Sequence, residues 1–332
     1  MKAPGSKLLR EAQGRPDGLY GAVQEDLGRV EATFDALKQV DYGPLGEILA
    51  MVLGGGKLLR PALALLAGRF GEYNLDLLVP LAASVELLHT ATLVHDDVID
   101  SASTRRGRPT VNSAFQNSTT VMLGDYLFAH AADQVVQTGS MRVVGLFSNT
   151  LMIMAKGEIR QDLAAYDSRQ TIRDYLGRIG GKTASLFATA CEGGAVVAQE
   201  PEDWIAALRD YGYNFGMAFQ IVDDILDFTG DEEHMGKPVG SDLMQGTLTL
   251  PSFLLLERQP KSNPVQRYFA RPTRERLAQA VEAVRSSGIL DESAAIARDF
   301  SRRAVAALSV LPDLNDRQTL ADLAEYILER RS

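Results

Sequence analysis

Between Ala206 and Phe228, Leu208, Tyr211, Phe215, Ala218, Val222, Ile225 and Leu226 recur at three- and four-residue steps. That spacing is the stripe of a packed helix, not the every-second-residue alternation of a strand. Gly230 supplies a stop. The same stepping runs from about Leu81 to Asp100 through Val85, Leu88, Thr92 and Val98, and strand-like alternation is scarce elsewhere. Ser118 to Val121 has some β character but flows into a helical pattern through Leu127, so it is read as helix. The expected fold class is therefore all-α. Gly54-Gly55-Gly56, Ser101 to Pro109 and Thr229 to Pro251 read as loops, and the last is long enough to expect a function for it. With no linker-like stretch and no fixed-period repeat, residues 1–332 read as one domain, with 1–15 expected to be mobile.

Composition narrows the function. The formal net charge of -9 argues against a general nucleic-acid binder, which must neutralise phosphates with Lys and Arg. A phosphorylated ligand would need local basic residues or metal ions. Cys191 is the only cysteine, so no internal disulfide and no cysteine-based zinc site can form. That fits a reducing, cytoplasmic location. Met1 to Gly14 mixes Lys2, Lys7, Arg10 and Glu11 without an apolar core, unlike a secretory signal. The longest apolar run, Leu77 to Leu88, is short and carries Pro80 and Glu86, so no transmembrane segment is expected. An apolar substrate would have to come to a soluble or peripheral enzyme.

Six aspartates carry the chemistry. On a helix Asp96 and Asp100 are i and i+4 with Asp97 adjoining, and Asp223, Asp224 and Asp227 repeat that geometry. Like charges so placed repel. Either they receive cations, with oxygen ligands suited to Mg²⁺, or each cluster is a solvated acidic helix end. The flanking Val94, Val98, Ile221, Val222, Ile225 and Leu226 place them at the edge of a buried helix. Basic residues gather beside glycines and aspartates: Lys57 and Arg60 after the triple glycine, Arg105, Arg106 and Arg108 after the first cluster, Lys182 after Gly180-Gly181, and Lys237 after the second cluster. Each is either a solvated charge or an anion ligand. His89 lies two helical turns before Asp96, either as a functional group or as a core histidine satisfied by backbone. Gln220 lies one turn before Asp224, where a buried amide needs a partner. It could orient the cluster or present its carbonyl to a positive reaction centre.

Taken together, these stretches closely resemble the trans-polyprenyl diphosphate synthases over nearly the whole chain. The residues that carry the resemblance are Gly55-Gly56-Lys57-Leu58-Leu59-Arg60-Pro61, His89, Leu93-Val94-His95-Asp96-Asp97-Val98-Ile99-Asp100, Arg105-Arg106-Gly107, Gly124-Asp125, Lys182-Thr183, Phe219-Gln220-Ile221-Val222-Asp223-Asp224-Ile225-Leu226-Asp227 and Gly236-Lys237. The resemblance implies a single-domain isoprenoid synthase helical bundle around a central active-site cavity, and a homodimer. It implies Mg²⁺, three ions per site, held by Asp96, Asp100 and Asp97 and by Asp223, Asp224 and Asp227. Isopentenyl diphosphate would be bound by Lys57, Arg60, His89 and Arg106. The allylic diphosphate (dimethylallyl, geranyl, farnesyl or geranylgeranyl) would be bound by Arg105, Lys182 and Lys237, with Thr183 and Gln220 lining the reaction centre. Residues 229–251 would form an active-site loop. Many relatives carry a lysine after Gly246 where this chain has Thr247, which puts one loop contact in doubt.

In the resembling family a bulky residue just before the first aspartate motif stops the growing product. Here those positions are Ala91 and Thr92, and both are small. Leu88 and Met122 are then the candidate floor, and the expected product is a long all-trans chain. A geranylgeranyl- or farnesyl-length product is the alternative, with Ala91 and Thr92 serving only helix packing. A class I terpene cyclase would not need the second diphosphate site formed by Lys57, Arg60 and His89. A non-catalytic subunit of a heteromeric synthase would be expected to have lost aspartates.

Overall fold

The computed structural model describes residues 18, 20–54, 56–105, 108–230 and 238–330. The expected roles of Arg106 and Lys237 therefore lie outside the described residues. Helices α1 (Gln24–Leu37), α2 (Gly43–Val52), α3 (Leu59–Ala67) and α4 (Leu75–Ile99) lead to a two-residue hairpin, β1 (Thr104–Arg105) against β2 (Arg108–Pro109). The short α5 (Val111–Ala114) precedes the long antiparallel-reading pair α6 (Asn117–Gln137) and α7 (Met141–Leu163). Then come α8 (Ile172–Ile179), a π-helical turn over Gly180–Ala184, α9 (Ser185–Val197) and α10 (Glu202–Thr229). The remainder is α11 (Ser241–Met244), α12 (Leu250–Arg258), α13 (Pro264–Ala270), α14 (Arg274–Ser286), α15 (Ile289–Ala307) and α16 (Asn315–Tyr326). The all-α reading holds.

The helices that carry the aspartates are the best buried. In α4, Leu81, Val85, Leu87, Leu88 and Ala91 are all buried, and α4 packs along α6. In α10, Leu208, Tyr211, Phe215, Ala218 and Ile221 are buried between α9 and α15. Fully burying one leucine is worth about 1.5–3 kcal/mol. Repulsion within one i,i+4 aspartate pair costs only about 0.2–0.5 kcal/mol. Burial therefore decides that these segments are helices, and the acidic ends follow. One apolar core joins α1, α3, α4, α6, α7, α9 and the first half of α10, and a second joins α8, the end of α10 and α12 to α15. Phe300 and Leu328 pack against both.

Three boundaries differ from expectation. Helix α4 starts at Leu75, not near Leu81, because Asn74 caps it by accepting the Asp76 N–H at 3.0 Å, and Pro80 is tolerated in its second turn. The 229–251 segment is not wholly loop, since α11 sits within it and α12 begins at Leu250. Helix α4 is also long and apolar enough to cross a membrane by length and composition, although 61% of its most apolar window is buried inside the protein. The sequence expectation rested on uninterrupted apolar runs, and α4 reaches its average across Pro80, Glu86 and His89.

Candidate active site

The first aspartate cluster closes α4. Asp97 is buried, and its carboxylate accepts from Arg105 Nε at 2.8 Å, which ties the hairpin to the helix end. Its backbone carbonyl accepts from Asn112 Nδ2 at 3.3 Å. Asp96 keeps 14% side-chain exposure, and its Oδ2 lies 3.5 Å from Lys182 Nζ. Lys182 in turn is 2.5 Å from Glu158 Oε1, on α7. Burial raises the Asp97 and Asp100 carboxyls above the usual carboxylate range; for Asp97 the Arg105 guanidinium opposes this, and for Asp100 the Asp96 charge adds to it. Glu158 is also raised, by burial first, against the opposing pull of Lys182. Burial alone would lower the Lys182 ammonium, but Asp96 and Glu158 outweigh it and hold it above its ordinary value. Carboxylates crowded in this way favour a cation.

Helix α6 is set against this cluster by Gly124. A Cβ there would lie 2.0 Å from His95 Nε2, so only glycine admits the imidazole, which hydrogen-bonds the Val121 carbonyl at 3.0 Å. The glycine-rich turn before α3 approaches the same helix lower down. A Cβ on Gly56 would lie 3.2 Å from Glu86 Oε1, one turn before His89. Lys57 and Arg60 thus arise beside the Glu86–His89 face of α4. The Arg60 guanidinium lies 4.3 Å over the Phe187 ring.

The second cluster divides by function. Asp223 is half-buried. Asp224 is buried and accepts from Tyr175 OH at 2.7 Å and from Gln220 Nε2 at 2.8 Å. Gln220 Oε1 accepts from Thr183 Oγ1 at 2.7 Å. A carboxylate can only accept, so this network fixes the amide orientation. Gln220 thus donates to the cluster through its amide and accepts from Thr183 through its carbonyl. Burial pushes the Asp224 carboxyl up to about 7, against the donors Gln220 and Tyr175. Asp227 is fully buried and accepts from Ser241 Oγ at 2.6 Å and the Asp242 N–H at 3.3 Å, so it caps α11. The Asp224 and Asp227 carboxylates thus accept from protein donors as well, and Asp223 is the most accessible of the three. No three acidic or imidazole groups stand ready-made as a cation cage among the described residues.

The expected tunnel residues also divide. Leu88 and Ala91 are buried beneath the first cluster, and Thr92 is half-buried with its hydroxyl on the His89 carbonyl at 2.7 Å. Met122 differs from these in burial. It is 62% exposed, because α6 turns its neighbours Leu123 and Leu127 inward and so points Met122 outward. Sequence reasoning missed Glu158 and Tyr175, which contact Lys182 and Asp224. Glu158 was findable, as a charge one helical turn after buried Met154 and beside buried Gly157.

These features define a class: an all-α protein with an aspartate cluster near the end of each of two buried helices and a lysine-bearing turn that contacts both clusters through Lys182 and Thr183–Gln220. The model of the polyprenyl synthetase family matches residues 44–284. The chain is 40% identical over 313 residues to heptaprenyl diphosphate synthase component 2 of Geobacillus stearothermophilus, covering 94% of this chain and 98% of that one. It is 39% identical over 318 residues to the geranyl-diphosphate-specific all-trans-nonaprenyl-diphosphate synthase of Rhodobacter capsulatus, covering 92% and 98%. The solved heptaprenyl diphosphate synthase of Staphylococcus aureus superimposes with a TM-score of 0.90 at 32% identity, over 93% of this chain and 99% of that one. This chain belongs to the polyprenyl synthetase family and is a prenyl-transferring enzyme.

Proposed function

We propose that this chain condenses isopentenyl diphosphate with an allylic diphosphate to give a long-chain all-trans polyprenyl diphosphate. One observation carries the reading. Lys182 touches Asp96 at 3.5 Å while its neighbour Thr183 bonds Gln220 and, through it, Asp224. The π-helical turn thus joins both aspartate clusters to a single cationic site.

The donor set fits magnesium. Its ligands are oxygens, and Mg²⁺ commonly binds through one or two carboxylates with phosphate oxygens and water, so a preformed cage is not required. Asp96 and Asp100, with Asp97 in support, would hold it at the first cluster, and Asp223 with Asp224 and Asp227 would hold it at the second. Magnesium, three ions per site, would supply positive charge that neutralises the departing diphosphate. Arg105, Lys182 and Lys237 hold the allylic diphosphate while its carbon–oxygen bond breaks. Lys57, Arg60, His89 and Arg106 hold isopentenyl diphosphate so that its double bond meets the allylic carbon. The Thr183 and Gln220 oxygens line the centre where positive charge develops. The proton lost afterwards passes to the released diphosphate, and the apolar walls of α4 and α10 exclude water. Small Ala91 beside Leu88 and Thr92 leaves room for a long product, in keeping with relatives named for heptaprenyl and nonaprenyl chains.

The partner reading is a second copy of this chain. It is supported by Met122 and Val136 on α6 and Met141, Met152, Ile159 and Leu163 on α7, all exposed and at helical spacing. The relative named as a component 2 favours a second reading, in which this chain is the catalytic member of a heteromeric synthase. Incubating the purified chain with farnesyl diphosphate, isopentenyl diphosphate and Mg²⁺ separates them. Long-chain product from the chain alone supports the first reading, and condensation only after a partner is added supports the second.

A further inference from the structure

We propose that Glu158 is a positioning residue that holds the Lys182 ammonium beside the first aspartate cluster, aimed at the allylic diphosphate. The inference rests on the condensation reading above, because it assigns Lys182 to that substrate.

The backbone geometry fixes where the lysine starts. Helix α7 meets the π-helical turn at Gly157, where a Cβ would already contact Lys182 N at 3.7 Å. A Cβ on Gly181 would lie 3.3 Å from Ile153 Cγ2. The two segments therefore run in contact, and the lysine leaves the turn directly against the next residue of α7, Glu158. Thr183 leaves toward Gln220 on α10 instead.

The distances rank the lysine's partners. Lys182 Nζ is 2.5 Å from Glu158 Oε1, a close ion pair, and 3.5 Å from Asp96 Oδ2, a looser one. A flexible four-carbon stem in a nest of acids would otherwise settle on the nearest free carboxylate, Asp96. Glu158 keeps 24% side-chain exposure and stands near both Asp96 and Asp100, so burial and like charge both work against its ionised form. The ammonium offsets that cost. A fourth carboxylate serving directly as a cation ligand would need its oxygen uncommitted, and here it is bonded to the lysine. Lys182 thus remains charged and oriented, held more closely by Glu158 than by the Asp96 carboxylate expected to serve the metal.

A double-mutant cycle tests this, read by the Kd of farnesyl thiodiphosphate, which ionises slowly, with Mg²⁺ present and isopentenyl diphosphate absent. Glu158→Ala should weaken binding about tenfold, and Glu158→Gln, which keeps an acceptor oxygen, should recover part of it. On a Lys182→Ala background, Glu158→Ala should add less than about twofold. KM for isopentenyl diphosphate should stay unchanged in the single variants. Additive losses in the cycle, a loss confined to the Mg²⁺ half-saturation point, or unaltered binding would each overturn the role. If Glu158→Ala does not fold, the Gln variant and the same background carry the cycle. Wild-type enzyme that binds the analogue yet never condenses isopentenyl diphosphate would overturn the functional reading instead, and is a separate result.

Discussion

Replacing Tyr175 with Phe tests how the second aspartate cluster is held. The phenol is fully buried, and its only change is loss of the 2.7 Å bond to Asp224. Hydrogen bonds to charged groups contribute about 1.5–3 kcal/mol, and neutral ones about 0.5–1.5 kcal/mol. Which figure applies depends on pH. Asp224 is pushed up to about 7 in the folded protein, whereas an unfolded aspartate titrates near ~3.9. The native state therefore binds the extra proton between these values. This group's contribution to stability is complete below the unfolded value and is lost as pH rises through 7. Removing Tyr175 takes a donor from the ionised form, so the folded value rises further and the stability deficit grows above pH 7. At roughly 2 °C per kcal/mol for a chain of this size, magnesium-free thermal melts should show Tyr175→Phe lower by about 3–6 °C at pH 8. The deficit at pH 5 should be about 1–3 °C. Equal deficits at both pH values, or none, would refute a charge-assisted bond at Asp224.

Two further substitutions separate roles that share a sequence motif. Asp223→Asn should reduce magnesium-dependent condensation by about 100-fold or more with a normal melting temperature. Asp227→Asn should also lower stability by about 1–3 kcal/mol, through the α11 cap; an unchanged melting temperature contradicts that contact. Ala91→Phe, which places a ring beside Leu88 beneath Asp96, should shorten the product. An unchanged product distribution on chromatography would remove Ala91 from the tunnel wall.

Much of this was legible because it is local. The stripe from Leu208 to Leu226 defines α10, and the pairing of each aspartate cluster with its helix follows from spacing alone. The segment resemblance likewise brings Lys182 and Thr183 to the site. What was hidden depends on contacts far apart in the chain. Tyr175 reaches Asp224 across 49 positions, and nothing near Tyr175 announces a carboxylate. Asp227 reads like Asp223 until α11 is seen resting on it. Met122 shows what a period alone leaves open: only the packing of Leu123 on the inner side of α6 reveals that Met122 is exposed in this chain.

The central claim is that the two clusters, joined through Lys182 and Thr183, run an intermolecular condensation. Its most direct measurement is product analysis of the purified chain given farnesyl diphosphate and Mg²⁺, with and without isopentenyl diphosphate. The account predicts long all-trans polyprenyl diphosphates only when isopentenyl diphosphate is present, and none after chelation of the metal. Cyclised hydrocarbon formed from farnesyl diphosphate alone would contradict it.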